Sequence, residues 1–209
     1  MTAFSKCLKA ASASLLMLAA AASHSAWADD PLKVIVFPGG FNWPIFVAQD
    51  KGLFADNGVS VDIPPTPGSK FQLVGLIDGD FDIAMTAMDN VVAYSEGQGA
   101  APTKTEPDIF AFMGVDNGFL RLVAVPDVKT VQDLKGKQVG VDALTTGYAF
   151  VLRKMLELGD LGPDDFEFVE AGGVMERFGA LMDKKFAATL LIYGLATGAA
   201  ALSTGIAML

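Results

Sequence analysis

The sequence predicts an α/β protein of two lobes, each built on a sheet whose strands alternate with helices. Three observations carry that prediction. Short β-branched runs recur, and each is followed by Gly, Pro, Asn or Asp and then by a helix-like stretch. A polar loop rich in Thr and Pro at 100–107, and strand-like runs on either side of Asp116-Asn117-Gly118, interrupt the alternation, which resumes beyond Arg121. With 52% hydrophobic residues over 209 positions, the chain has core enough for one domain or two small lobes.

The first 28 residues read as an export signal. Lys6 and Lys9 form a basic start, residues 10–22 an uncharged apolar run, and Ala26-Trp27-Ala28 a small-x-small cleavage site ahead of Asp29-Asp30. The apolar run is too short to cross a bilayer. Cleavage after Ala28 leaves 181 residues and removes both the only cysteine, Cys7, and the only histidine, His24. The mature chain then cannot build a Ser-His-Asp or Cys-His apparatus, a disulfide or a His/Cys zinc site. No metal or cofactor is expected. The mature chain carries 13 basic residues against 24 acidic ones, a net charge of about −11. That balance argues against nucleic acid as a partner, since phosphate binding needs clustered Lys and Arg. Without cysteine in an oxidising compartment, stability comes from packing alone.

Residues 33–37 (KVIVF) form the first strand, broken by Pro38-Gly39-Gly40. Asn42 is placed to cap a helix whose first turn holds Trp43 and Pro44, where a missing N–H is tolerated. Gly52 and Gly58 bracket its end and a turn, and 59–63 (VSVDI) alternates as a second strand. Gly68-Ser69 opens a helix over 70–77, which Asp78-Gly79-Asp80 stops before a third strand at 81–85 (FDIAM). Asp89 is placed to cap a helix over 90–96, ended by Gly97 and Gly99. Residues 109–115 and 119–125 read as two further strands. In the second lobe, 131–134 is a short helical turn, 138–141 (QVGV) a strand and 149–158 a helix ended by Gly159 and Gly162-Pro163. A strand at 166–169, a helix at 174–182 behind Gly172-Gly173, and a strand beginning at 187–191 follow.

Open α/β sheets bind ligands beyond the carboxyl ends of their strands, against helix N-termini. Four strand-to-helix passages are therefore candidates. In the first, Asn42 offers an amide and Trp43 a flat apolar face behind two glycines; the alternative is that Trp43 packs in the core and Asn42 only caps. In the second, Ser69 after Gly68 opens a helix whose first N–H groups are unpaired, a seat for an anion or carbonyl, or else a plain cap. In the third, Thr86, Met88 and Asp89 follow the FDIAM strand; Asp89 either accepts a bond from a ligand N–H or only caps. In the fourth, Thr146 and Tyr148 face the cleft from the second lobe, or form a loop with a partly buried Tyr. Asn117, beside Asp116, adds a polar contact at the crossover between lobes. Arg177 either neutralises an anionic ligand group or makes a surface ion pair. Asp78-Gly79-Asp80-Phe81-Asp82 lacks the terminal Glu of a calcium loop, and no phosphate-loop pattern follows a strand.

The segments WPIFVAQDKGLFADNGVSVDI, GLIDGDFDIAMTAMDNVVAY and DLKGKQVGVDALTTGYAF, taken in order and spacing, resemble periplasmic solute-binding proteins of ABC importers. The group is that of the sulfonate, nitrate, taurine and thiamine-precursor binders (NMT1/SsuA-like), and the likeness runs from about Lys33 to Leu190. It implies a two-lobed periplasmic-binding-protein-like fold (type II), joined by crossing strands, with the ligand in the interlobe cleft. The implied function is capture of a small organic anion or heteroaromatic solute, sulfonate-like acids first, and delivery to an ABC transporter permease. The expected divisions are a signal at 1–28, lobe I at 29–118, lobe II at 119–190 and an apolar tail at 191–209. The end departs from the family pattern, so a reading frame truncated or shifted near Leu191 is expected, leaving the fold incomplete at the C-terminus. Residues 187–209 hold no charge over 23 positions, long enough to span a membrane behind Lys184-Lys185. A membrane-anchored binder or sensor is thus one alternative. A pyrimidine-making enzyme is another, disfavoured because such relatives rely on a histidine.

Overall fold

The computed structural model describes residues 30–115, 120–192 and 207–208. Asp116, Asn117 and the first 28 residues of the expected signal lie outside them.

The first sheet holds β1 (Leu32–Val36), β2 (Val61–Asp62) and β3 (Ile83–Met85), in the order β2-β1-β3. It is parallel throughout, with Leu32 opposite Val61 and Ile35 opposite Ala84. β1 is central, and its consecutive residues Val34, Ile35 and Val36 are all buried, the pattern of a strand covered on both faces. β2 is shorter than the alternation at 59–63 suggested. Pro64 and Pro65 follow it and have no N–H to continue a ladder.

A 3-10 turn (Gly40–Asn42) leads into α1 (Trp43–Asp50), followed by the short α2 (Leu53–Asp56). α1 buries none of its residues, and Trp43 is 73% exposed. α3 (Ser69–Ile77) is bound more deeply. Its Leu73 and Gln72 are fully buried, and Gln72 Nε2 donates to Ile35 O (3.2 Å) and Met85 O (3.1 Å), tying α3 to β1 and β3. α4 (Met88–Ser95) follows β3.

The second sheet has the order β6-β5-β7-β4-β8. Its strands are β4 (Leu120–Ala124), β5 (Gln138–Val141), β6 (Glu167–Glu170), β7 (Ala188–Ile192) and β8 (Ala207–Met208). β6, β5 and β7 run parallel, while β4 is antiparallel to both β7 and β8. Among the described residues two helices cover it. α5 (Gly147–Leu158) sets Ala149, Leu152 and Leu156, at helical spacing, against Leu122, Val139 and Leu190. α6 (Val174–Met182) packs Val174 and Leu181 with Val123, Phe186 and Leu191. The two clusters take alternate residues of β4, so α5 and α6 lie on opposite faces.

One expectation is corrected here. Residues 109–115 form no strand, and Phe110 is 79% exposed. An apolar run supplies only one half of a strand; the other half is a hydrogen-bonded neighbour, and among the described residues none pairs with it. The uncharged run at 187–209 enters the second sheet at both described ends, as the buried β7 and as β8. Among the described residues no helix is long and apolar enough to cross a membrane.

Candidate functional site

The loops leaving the carboxyl ends of β2, β3, β5 and β6 meet. Thr66 steers the first, its Oγ1 donating to Gly68 O (2.8 Å) and accepting from Gly68 N (3.2 Å). That turn delivers Ser69 as the first residue of α3. Ser69 N–H then donates across to Asp142, the residue after β5, at 3.3 Å to Oδ1 and 3.2 Å to Oδ2. The mirror arrangement lies beside it. Asp89, in the first turn of α4, accepts a hydrogen bond from the N–H of Gly147, the first residue of α5. Each half therefore lends a carboxylate to a helix N-terminus of the other. The physics favours this, because the first N–H groups of a helix have no partner within it and carry partial positive charge.

Further contacts cross the same junction. Gly173 N–H donates to Pro67 O at 2.6 Å. Lys70 Nζ pairs with Glu170 Oε2 at 2.5 Å, while Glu170 Oε1 accepts from Leu144 N–H at 3.2 Å within its own half. Gly172 has φ +77°, and a Cβ there would lie 3.0 Å from Pro67 O, so both the turn and the close approach need glycine. A Cβ on Gly173 would meet Phe37 at 3.3 Å, which brings the loop after β1 to the same place.

Arg177 stands behind the junction on α6. It is only 5% exposed and donates through Nη1 to Gly172 O (2.6 Å) and through Nη2 to Leu190 O (3.4 Å). The surface ion-pair reading of Arg177 therefore fails. Burial pushes its guanidinium below the ordinary value, and the charges of Asp142 and Glu176 oppose that shift. A cavity of about 10 Å³, room for one water, lies between Asp142, Tyr148, Leu152, Arg177 and Leu190. Among the described residues no group of His, Cys, Asp and Glu is arranged to hold a metal ion.

Of the residues singled out by sequence, Ser69, Asp89, Thr146 and Tyr148 come together here. Thr146 caps α5, its Oγ1 accepting from Ala149 N–H (3.4 Å) and donating to Ala143 O (3.0 Å). Thr86 Oγ1 accepts from Asn90 Nδ2 (2.8 Å) and so braces the first turn of α4, while Met88 opens that helix and is exposed. The cap expected of Asp89 falls to Ala87, because α4 starts earlier, at Met88; the Asp89 carboxylate goes to Gly147 instead. Asn42 occupies the cap position of α1 without capping it. Its amide turns back to Phe37 O (2.6 Å), leaving Oδ1 buried without a partner among the described residues. Trp43 stands on the surface beside it, and Asn117 lies outside the described residues.

Sequence reasoning missed Asp142, Lys70, Glu170 and Gln72. Asp142 had a signal: it directly follows a strand, as the ligand rim of an open sheet demands. The Lys70–Glu170 pair spans one hundred positions and had none.

A family model described as "NMT1/THI5 like" matches residues 42–207. The putative binding protein YtlA of Bacillus subtilis is 35% identical over 100 residues, covering 46% of this chain and 28% of YtlA. Among solved structures, the periplasmic nitrate-binding protein NrtA from Synechocystis PCC 6803 superposes with a TM-score of 0.71 at 12% identity, over 88% of this chain and 52% of its own. The alkanesulfonate-binding protein SsuA from Xanthomonas axonopodis pv. citri, bound to MOPS, gives 0.61 at 15% identity, over 88% of this chain and 61% of its own. The two structures share the α/β periplasmic-binding-protein-like fold with this chain. The chain spans little more than half the length of these structures and about a quarter of YtlA.

Proposed function

The chain belongs to the NMT1/THI5-like family, and from that premise we propose that it is the extracytoplasmic solute-binding component of an ABC importer. The observation that carries the reading is the convergence of helix N-termini from two sheets on one junction, with Ser69 and Asp89 on one side and Asp142 and Gly147 on the other. The ligand is a small organic anion or heteroaromatic solute, sulfonate-like acids first. The N–H groups of Ser69 and Gly147, freed from Asp142 and Asp89 when the halves part, suit an acidic group, and the buried Arg177 adds positive potential behind them. Tyr148 and Trp43 offer flat faces for the remainder of the solute.

The cycle is capture and release without bond chemistry. The halves part at the Ser69–Asp142 and Asp89–Gly147 contacts, take up the solute and close over it, and the closed form docks on the permease. The protein is exported, with residues 1–28 removed, so sequencing of the exported form begins at Asp29. A mature N-terminus at Met1 would refute the compartment. Calorimetric titration of the mature chain against sulfonates, nitrate and aminopyrimidines tests the function, and saturable binding of one of them is the expected result. Silence across the whole series refutes it.

A further inference from the structure

We infer that Asp142 and Asp89 are affinity-setting residues that stand in for the acidic group of the solute. In the solute-free protein each fills a helix N-terminal seat, and together they hold the halves shut and keep the affinity below that of open seats. The inference rests on the solute-binding reading above and deepens it.

The seats are those of α3 and α5, and the chain itself occupies both. Asp142 presents both carboxylate oxygens to Ser69 N–H, and a Cβ on Gly68 would lie 3.1 Å from its Oδ1, so the carboxylate rests against the backbone that opens α3. Asp89 takes the Gly147 N–H at the head of α5 and leaves no room for a Cβ there. The cavity beside Asp142, bounded also by Tyr148 and Arg177, holds about 10 Å³. Pockets that hold small molecules have about 300–1,000 Å³. A solute therefore reaches the seats only by evicting the carboxylates. The apparent affinity of such a solute falls in proportion to the fraction of molecules whose seats are free. Once evicted, Asp142 and Asp89 are like charges beside an incoming anion, which lowers its affinity further.

Asp142 fills its seat imperfectly, as a displaceable occupant must. Its oxygens stand 3.3 and 3.2 Å from Ser69 N. Charge-assisted bonds of this kind are ordinarily roughly 2.7–2.9 Å long. The Ser69 hydroxyl, on a residue only 1% exposed, has no hydrogen-bond partner among the described residues. Asp142 thus matches the N–H of Ser69 and not its hydroxyl, although buried polar groups are rarely left unmatched. An anion that reaches both groups has an advantage that Asp142 lacks.

The test sets Asp142→Ala and Asp89→Ala against wild type on the mature chain, with ethanesulfonate as the probe. Each variant is expected to bind it about tenfold tighter by calorimetry, the scale of one charged hydrogen bond that no longer has to be broken. Without solute, each is expected to melt at a lower temperature and to exchange its freed amide faster, Ser69 in Asp142→Ala and Gly147 in Asp89→Ala. Affinity rising while stability falls is the signature. A residue that only supports the fold, or one that touches the solute favourably, lowers affinity when it is removed. Wild type that binds ethanesulfonate while both variants bind it equally or more weakly overturns the inference and leaves the solute-binding reading intact. Ser69 and Gly147 amides that exchange freely in solute-free wild type overturn it too, without recourse to any variant. Silence of wild type and both variants toward sulfonates, nitrate and aminopyrimidines overturns the solute-binding reading and this inference with it.

Discussion

Replacing Gly147 by alanine is expected to force the junction between the two sheets apart. An ideal Cβ at Gly147 falls 2.5 Å from Asp89 Cβ, 2.6 Å from its Cγ and 2.9 Å from its Oδ2. Ordinary contact begins near 3.4 Å, so Asp89 must retreat by about 1 Å. Rotating the side chain does not clear the clash, because the nearest atom, Cβ, rides on the backbone of α4. The first turn of α4 has to move, and the hydrogen bond from Gly147 N–H to the Asp89 carboxylate is lost. A hydrogen bond to a charged group contributes about 1.5–3 kcal/mol. Alanine in place of glycine in a helix returns up to about 1 kcal/mol. The net loss is about 1–2 kcal/mol, or about 2–8 °C in Tm for a chain of this size. Circular-dichroism melts measure that fall, and hydrogen exchange locates it: the Ser69 and Gly147 amides should exchange about tenfold faster or more. A Tm that stays level or rises, with Ser69 protection intact, would mean that the junction is not packed as described and only helix propensity is at work.

Three further outcomes are expected. Leu156→Ala empties a fully buried position of α5 and should cost about 2–5 kcal/mol in urea unfolding, against less than about 0.5 kcal/mol for an exposed site such as Leu158→Ala; equal effects would refute the packing of α5 on the second sheet. The N–H groups of Lys129 and Thr130 hold the Asp133 carboxyl below the usual range, so its stabilising contribution is present above the ordinary carboxylate pKa and lost as pH falls through the depressed native value. The stability gap between wild type and Asp133→Asn is therefore wide at pH 6 and closes below about pH 4 in urea melts; a gap that ignores pH would contradict this. Trp43→Ala, at an exposed position, should leave Tm unchanged while weakening solute binding by about 1–3 kcal/mol, and unchanged affinity removes Trp43 from the site.

Much of the second sheet was legible in the sequence because local signals agreed there. The helix at 174–182 and the strand at 138–141 have the bounds read from pattern alone, since Gly172-Gly173 and Lys135-Gly136 punctuate them and one apolar stripe or run decides the period. Residues 109–115 carried the same kind of apolar run and misled, because a run does not reveal whether a neighbouring strand exists. At the site, the passages were readable and the pairings were not. Asn42 has the chemistry of a cap, yet Phe37 O competes for its amide and wins. Asp89 was read as capping its own helix or accepting from a ligand N–H, and it accepts from the first N–H of α5, 58 positions away. Asp142 and Ser69 lie 73 positions apart, so neither could be assigned to the other from any local window. Long-range electrostatics chose among donors and acceptors that local propensity could only enumerate.

The place of β7 has a consequence for how the chain acquires its structure. β7 lies between β5 and β4, although it follows both in sequence, and it meets β4 about seventy positions after that strand was made. Until residues 188–192 emerge, the second sheet exists only as two fragments, a β5–β6 pair and a solitary β4, each with a bare edge. Such late, distant pairing is slow, and bare edges recruit other strands. A chain emerging from its N-terminus has every strand of the first sheet by Met85, while the second sheet stays in pieces. Its fragments join late, when Ala188–Ile192 slots between β5 and β4 as a keystone, leaving β8 to take the far edge of β4.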